Sequence, residues 1–189
     1  MTMRDEMSDE EITQSVLNGN KNKYAQIVER YESKLMRYAQ YILKDYDLAS
    51  DAVQESFIKA FVNLRSFDTK RKFSSWIYRI LHNEAMNVIK RNKKIVSLDN
   101  EESGKNTSYE DFWRDIKIDQ QILNLQVRNC LDKIDIKYKE VLMLNYFENL
   151  KYEEISDILH IPTSTVGVRI RRGKEALKKI CSKEEVKYD

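Results

Sequence analysis

The chain has 189 residues, 34% of them charged and 41% hydrophobic, with a formal net charge of +2. Four Gly and one Pro exclude a fold built on hairpins and sheet corners and favour amphipathic helices around modest cores. With two His and two Cys, a metal-ligand cluster is not expected, and Cys130 and Cys181 make neither a metal spacing nor a disulfide framework. No GxGxxG, GxxxxGK or GxSxG stretch is present, so dinucleotide, phosphate-loop and nucleophile-elbow chemistry are set aside. The first residues, MTMRDEMSDEE, lack the apolar core of a signal peptide, and no run reaches membrane-spanning length. The expectation is a soluble, cytoplasmic protein with no membrane insertion.

In chain order, Ser8-Asp9-Glu10-Glu11 reads as a capping box before a short helix that stops at Gly19. Over 23–43, apolar residues at Tyr24, Ile27, Val28, Tyr31, Leu35, Tyr38, Ala39 and Ile42 follow a helical period. Asp45-Tyr46-Asp47 interrupts it, with Asp47 as the cap of a helix to about residue 64 that buries Ala49, Val53, Phe57, Ala60, Phe61 and Leu64. A polar, basic loop spans 65–72. A helix over about 73–91 carries Phe73, Trp76, Ile77, Ile80 and Val88 inward. Polar residues gather over 95–118, which reads as a linker with a short ordered piece at 109–113. Helices resume at 119–134, 137–148, 151–159 and 163–181. The fold class is therefore all-α: two small helical domains joined by a flexible linker.

The near-neutral net charge hides blocks. Residues 65–94 hold nine Lys/Arg against Asp68 and Glu84, a net of +7; residues 95–120 stand at −4; residues 165–183 hold seven bases against Glu175, a net of +6. Two basic patches around an acidic stretch point to two contacts with a polyanion.

The sharpest local signal lies near the C-terminus. A short helix at 151–159, a turn at His160-Ile161-Pro162 and a second helix capped by Thr163 have helix-turn-helix spacing. At 100° per residue, Val166, Ile170, Gly173 and Leu177 share the buried face. Ser164, Val168, Arg171 and Arg172 point away, and Thr165 and Arg169 sit on the flank. His160 stands where a helix end usually has glycine, and its role there is structural. On the helix 47–64, Asp51, Glu55, Ile58 and Val62 form an outward stripe of carboxylates and apolar groups suited to a protein partner. On 73–91, Tyr78 and His82 are expected outward, with Arg79, Asn83 and Lys90 down one flank, a combination that suits single-stranded nucleic acid. Two rivals stand beside this reading: a helix-turn-helix transcriptional regulator acting on duplex DNA without a polymerase, and a nucleic-acid-processing enzyme. The second needs clustered metal-binding carboxylates, whereas the acids here fall on the linker and helix exteriors.

Three stretches, in order and spacing, resemble the sigma-70 family in its extracytoplasmic-function branch. Asp51-Ala52-Val53-Gln54-Glu55-Ser56-Phe57-Ile58-Lys59-Ala60 resembles the core-polymerase-binding helix. Phe73-Ser74-Ser75-Trp76-Ile77-Tyr78-Arg79-Ile80-Leu81-His82-Asn83 resembles the promoter-melting helix. The third runs from Leu131 through Lys139-Glu140-Val141-Leu142-Met143-Leu144 to Tyr152-Glu153-Glu154-Ile155 and Thr165-Val166, and resembles the domain that reads the minus-thirty-five element. The resemblance implies a region 2 domain at 1–94, a linker at 95–118 and a region 4 domain at 119–189. It implies a promoter-specificity subunit that is not an enzyme and uses no cofactor. Asp51, Gln54, Glu55, Ile58 and Val62 would meet the β′ clamp helices of core RNA polymerase. Arg65, Lys70, Arg71, Tyr78, Arg79, Asn83, Asn87 and Lys90 would capture and melt minus-ten DNA. Ser164, Thr165, Val168, Arg169, Arg171 and Arg172 would read minus-thirty-five DNA while the domain binds the β flap. An anti-sigma factor is a further implied partner. Two departures stand out: Gly167-Val168 replace the family's Lys-Ser, and Gly173 replaces an alanine.

Overall fold

The computed structural model describes residues 7–69, 71–96 and 130–185. All regular structure among them is helical. The chain divides into two compact units, Met1–Lys105 and Asn106–Asp189. The segment read as a linker begins on the last two residues of a helix that runs to Val96; the rest of it, with the ordered piece expected at 109–113, lies outside the described residues, as does most of the helix expected at 119–134.

In the N-terminal unit, α1 (Asp9–Leu17) opens with the expected capping box. The Glu11 amide donates to Ser8 Oγ at 3.2 Å and the Ser8 amide to Glu11 Oε2 at 2.7 Å. The chain then turns at Gly19, whose φ of +107° disfavours any side chain. Helix α2 (Tyr24–Leu43) buries Ile27, Tyr31, Leu35, Tyr38, Ala39 and Ile42, together with Met36, Gln40 and Tyr41. It stops at Lys44 in the left-handed region. Helix α3 (Tyr46–Val62) is capped by Asp45, which accepts from the Leu48 amide at 2.9 Å. The expected cap, Asp47, instead lies in the first turn, where its charge favours the helix dipole.

Helix α4 (Phe73–Val96) packs against both α2 and α3. Phe73, Ile77, Leu81 and Ala85, one turn apart, are fully buried. Leu81 and Ala85 extend the expected core, whereas Ile80 and Val88 are only half-buried. Small side chains on α3 (Ala49, Ala52, Ser56, Ala60) let the helices approach closely. Two expectations are corrected here. Phe61 is exposed, resting its edge on Tyr24 at 5.0 Å between centroids. Tyr78, expected outward, is 2% exposed and packs edge-on against Tyr38 at 5.7 Å. The reason is the double cover: an arc facing two helices is wider than one stripe, and position 78, rotated 100° from Ile77, falls inside it.

In the C-terminal unit, α5 (Ile136–Leu142) is capped by Asp135. The single helix expected at 137–148 passes instead into a π-helical turn, Met143–Phe147. Helix α6 (Tyr152–Leu159) ends at His160, which has φ 52° and takes the left-handed position expected of it. Helix α7 (Thr163–Glu185) follows. Val141, Leu142, Met143, Leu144, Ile155, Ile158, Val166 and Ile170 form the core, with Leu177 half-buried. A Cβ at Gly173 would sit 3.0 Å from Leu142 Cδ1 and 3.3 Å from Tyr138 Cβ, so the departure from alanine lets α7 lie close on α5.

The cysteines overturn their reading. Cys130 and Cys181 are joined as a disulfide with Cα atoms 5.6 Å apart. Their separation of 51 residues hides the pairing in the sequence; α7, running back along α5, brings the two together. Closing a loop of that length contributes about 2–4 kcal/mol by restricting the unfolded chain. Alkylation in denaturant should therefore leave both cysteines unlabelled until a reductant is added, as mass measurement will read. Reduction should lower the stability of the C-terminal unit by about 2–4 kcal/mol in melts with and without reductant. Immediate labelling of both thiols would contradict the bond.

Candidate nucleic-acid and protein interfaces

On α3, Asp51, Glu55, Ile58 and Val62 fall on one outward face, with Gln54 beside them; all five are exposed. Ile58 and Val62 are 57% and 72% exposed, two apolar side chains open to water one turn apart. Lys59 reaches across the edge of this face to Glu55 at 3.3 Å and to Glu84 of α4 at 2.8 Å. The Glu84 hydrogen bond holds its ammonium above the ordinary lysine range, though exposed pairs of this kind add little stability.

The loop 65–72 and α4 form the second surface. Phe67, within the loop, is buried, its ring 5.4 Å from Phe73 and 5.2 Å from Trp76. Trp76 is half-buried in this cluster, in keeping with the inward place expected of it. Arg65 and Arg71 are exposed, and Lys70 lies outside the described residues. Along α4, Arg79 is half-buried while Asn83, Asn87 and Lys90 are exposed, all on one strip. Tyr78 does not join them. Its ring is buried, so it offers no face on which a base could stack. His82 is half-buried, sharing a hydrogen bond with the Tyr38 hydroxyl at 3.1 Å.

The third surface is α7. Ser164, Val168, Arg171 and Arg172 are exposed and Thr165 is half-buried. Arg171, Arg172, Lys174, Lys178 and Lys179 give its outer side a positive charge suited to phosphate. Arg169 differs from its neighbours: its guanidinium pairs with Glu140 Oε1 at 3.1 Å, on the side of α7 that meets α5. Burial pushes the Glu140 carboxyl up to about 7, against the opposing pull of Arg169. The sequence reading missed Glu140 because Lys139-Glu140 looks like a surface pair, yet both are buried. It also missed Tyr152, whose ring lies 3.5 Å from where a Gly167 side chain would begin. That is ordinary contact, so packing does not require glycine there.

Among the described residues no group of His, Cys, Asp and Glu side chains could hold a metal ion, and no helix is long and apolar enough to cross a membrane. Residues 27–95 match the family model for Sigma-70 region 2, and residues 124–177 that for Sigma-70, region 4. The chain is 37% identical over 171 residues to the ECF RNA polymerase sigma factor SigW of Bacillus subtilis, covering 87% of this chain and 91% of that one. It is 29% identical over 186 residues to the ECF RNA polymerase sigma-E factor of Haemophilus influenzae, covering 93% and 96%. Among solved structures, CnrH in complex with the cytosolic domain of CnrY superposes with a TM-score of 0.68 at 22% identity, covering 92% of this chain and 97% of CnrH. The sigma factor RpoE in complex with the anti-sigma factor NepR from Bartonella quintana gives 0.67 at 19% identity, covering 84% and 96%. These two likenesses speak to the fold.

Glu140 makes the C-terminal unit sensitive to pH in a direction that can be stated. Its folded value near 7 lies above the ordinary 4.5, so between those values the unfolded chain releases a proton that the folded chain keeps. Stability from this group is therefore highest below about pH 4.5 and falls as pH rises towards 7. Replacing Glu140→Gln removes the term. The melting temperature of the variant minus that of the parent should rise steadily from pH 5 to pH 7 and then level off. A difference independent of pH would mean that Glu140 is ionised throughout.

Proposed function

The chain belongs to the sigma-70 family, in its extracytoplasmic-function branch, and directs promoter-specific transcription initiation; we propose the following division of labour among its surfaces. The match of residues 27–95 to Sigma-70 region 2 disfavours the rival reading as a helix-turn-helix regulator acting without a polymerase. The polymerase performs nucleotide addition, and this chain contributes recognition and opening, with no catalysis of its own. Region 2 occupies 1–94 and region 4 occupies 119–189, with 95–118 between them.

The observation that carries this reading is the pairing, within one unit, of the apolar and acidic face of α3 with the basic and amide-lined strip of α4. Asp51, Gln54, Glu55, Ile58 and Val62 dock on the β′ clamp helices. The two exposed aliphatic groups supply desolvation, and the carboxylates set register. Arg65, Lys70, Arg71, Arg79, Asn83, Asn87 and Lys90 hold minus-ten DNA: the cations draw in the backbone, while the amides can donate and accept at base edges exposed by unpairing. Burial removes Tyr78 from that set, leaving it a core role. Melting follows because single-stranded bases gain contacts that stacked pairs cannot make.

In region 4, Ser164, Thr165, Val168, Arg171 and Arg172 face the major groove of minus-thirty-five DNA. Arginine there either pairs with guanine or holds phosphate. Arg169, held by Glu140, supports the helix and not a base. The β flap is the protein partner of this unit. An anti-sigma factor is the natural off switch, a reading supported by the solved complex of the Bartonella quintana RpoE with NepR.

Two experiments separate these roles. Ile58→Glu should weaken binding to core polymerase by about 1–2 kcal/mol, the scale of an interface anchor, with helicity unchanged. Equal competition for core would make the α3 face ordinary surface. Arg79→Ala combined with Asn83→Ala should slow open-complex formation on duplex promoters in run-off transcription, while a template with a pre-opened bubble partly restores initiation. Equal defects on both templates would point to docking or folding instead.

A further inference from the structure

Helix α1 lies ahead of residues 27–95, which carry the region 2 match, yet its first turn reaches the base of the minus-ten loop. Asp9, Glu10 and Glu11 read as one acidic run in the sequence, but the structure gives each a different task. Glu11 closes the capping box on Ser8. Asp9 accepts from the Arg30 guanidinium at 2.8 Å and from the Tyr31 hydroxyl, fixing α1 against α2. Burial, and then the bond to Asp9, push the Tyr31 hydroxyl far above its ordinary range, so it remains a donor. Glu10 Oε1 accepts from the Phe73 amide at 3.2 Å. That amide opens α4, and its acceptor lies 63 residues away in the sequence.

Phe73 is also the far post of the loop. Its ring packs against Phe67 at 5.4 Å, Trp76 at 5.7 Å and Tyr31 at 5.7 Å. Phe67, which closes the 3₁₀ turn Leu64–Ser66, is the near post. The described chain on either side of residue 70 thus adjoins Phe67 and Phe73, two buried side chains whose rings meet. Inside the loop the Arg71 amide donates to the Asp68 carbonyl at 2.9 Å.

Building on the promoter-opening role given to this loop, we propose that α1 is a clasp and Glu10 a positioning residue: its carboxylate, capping α4 at Phe73, sets the loop 65–72 for capture of unpaired minus-ten bases. Glu10 touches no DNA in this arrangement and acts through Phe73 and Phe67. Its effect therefore belongs to promoter opening and base discrimination, not to attachment to core.

The test uses holoenzyme assembled from core polymerase and the full chain carrying Glu10→Ala or Glu10→Gln. Glu10→Ala should bind core as the parent does but open a duplex promoter about three- to tenfold more slowly, the scale of one lost cap. A pre-opened bubble should restore the rate, and preference for the cognate minus-ten element over single-base variants should narrow. Glu10→Gln keeps an acceptor oxygen and should remain close to the parent in both respects. Opening and discrimination at the parent's level in Glu10→Ala would overturn the proposal. So would a loss of core affinity in step with slower opening, or a Glu10→Gln as impaired as Glu10→Ala. Amide exchange at Phe73 and across 65–72 distinguishes the two possible failures. Unchanged exchange in Glu10→Ala overturns the clasp itself. Faster exchange with normal opening overturns the role given to the loop in promoter opening.

Discussion

Tyr38 and Tyr78 meet edge-on at 5.7 Å between ring centroids, and the Tyr38 hydroxyl reaches on to His82 at 3.1 Å. This contact holds α4 to α2 while the line Phe73, Ile77, Leu81 and Ala85 lies buried along its length. A helix covered from two sides keeps only a narrow strip for anything else. On α4 that strip includes Arg79, Asn83, Asn87 and Lys90. The surface we propose for promoter DNA is therefore what the core leaves over. A packed helix also presents its amides at fixed spacing, which a loop could not. The same packing turns α3 so that Ile58 and Val62 face away from α2 and α4, where a protein partner can cover them.

Much of this was legible in the sequence because it depends on periodicity. The 3.6-residue repeat exposes the outward stripe of α3 and the two sides of α7, and a run such as Ser8-Asp9-Glu10-Glu11 carries its own cap. What was missed depends on contacts between distant residues. The burial of Tyr78 follows from having two covering helices, and a single-stripe projection cannot count them. Glu140 and Lys139 look solvated until Arg169 and Asp132 are placed beside them at 3.1 Å and 2.9 Å. The Cys130–Cys181 bond spans 51 residues, and nothing local announces it. The Asp45 cap was read two residues late for a simpler reason: both aspartates could cap, and the extended backbone at Asp45 selects it.

The C-terminal unit reaches its order by a different balance. With its carboxyl pushed up to about 7, Glu140 is only partly ionised at neutral pH, so its contact with Arg169 adds little charge–charge stability there. The pair therefore serves to fix how α7 lies on α5 more than to add stability. For Arg169 this conflicts with reading DNA, since a guanidinium engaged with Glu140 would have to abandon a buried carboxylate to reach a base. Arg171 and Arg172, exposed on the same helix, face no such conflict.

The placement of glycine bears on the same helix. Proteins usually put glycine just past helix ends and keep it out of helix interiors. Here Lys44, Asn149 and His160 take positive φ without being glycine, while Gly167 and Gly173 lie inside α7. Each interior glycine costs about 1 kcal/mol in helix propensity. Gly173 has a packing reason, the 3.0 Å approach to Leu142; Gly167 has none, since a side chain there would meet only the Tyr152 ring at ordinary distance. A helix weakened in this way depends on ties outside its own backbone. Glu140 holds it at Arg169, and the disulfide holds it at Cys181. A side chain at Gly167 would begin against the Tyr152 ring at ordinary distance, so its absence is not required by the core. If α7 reads DNA as proposed, a change at Gly167 should therefore appear in promoter preference before it appears in folding.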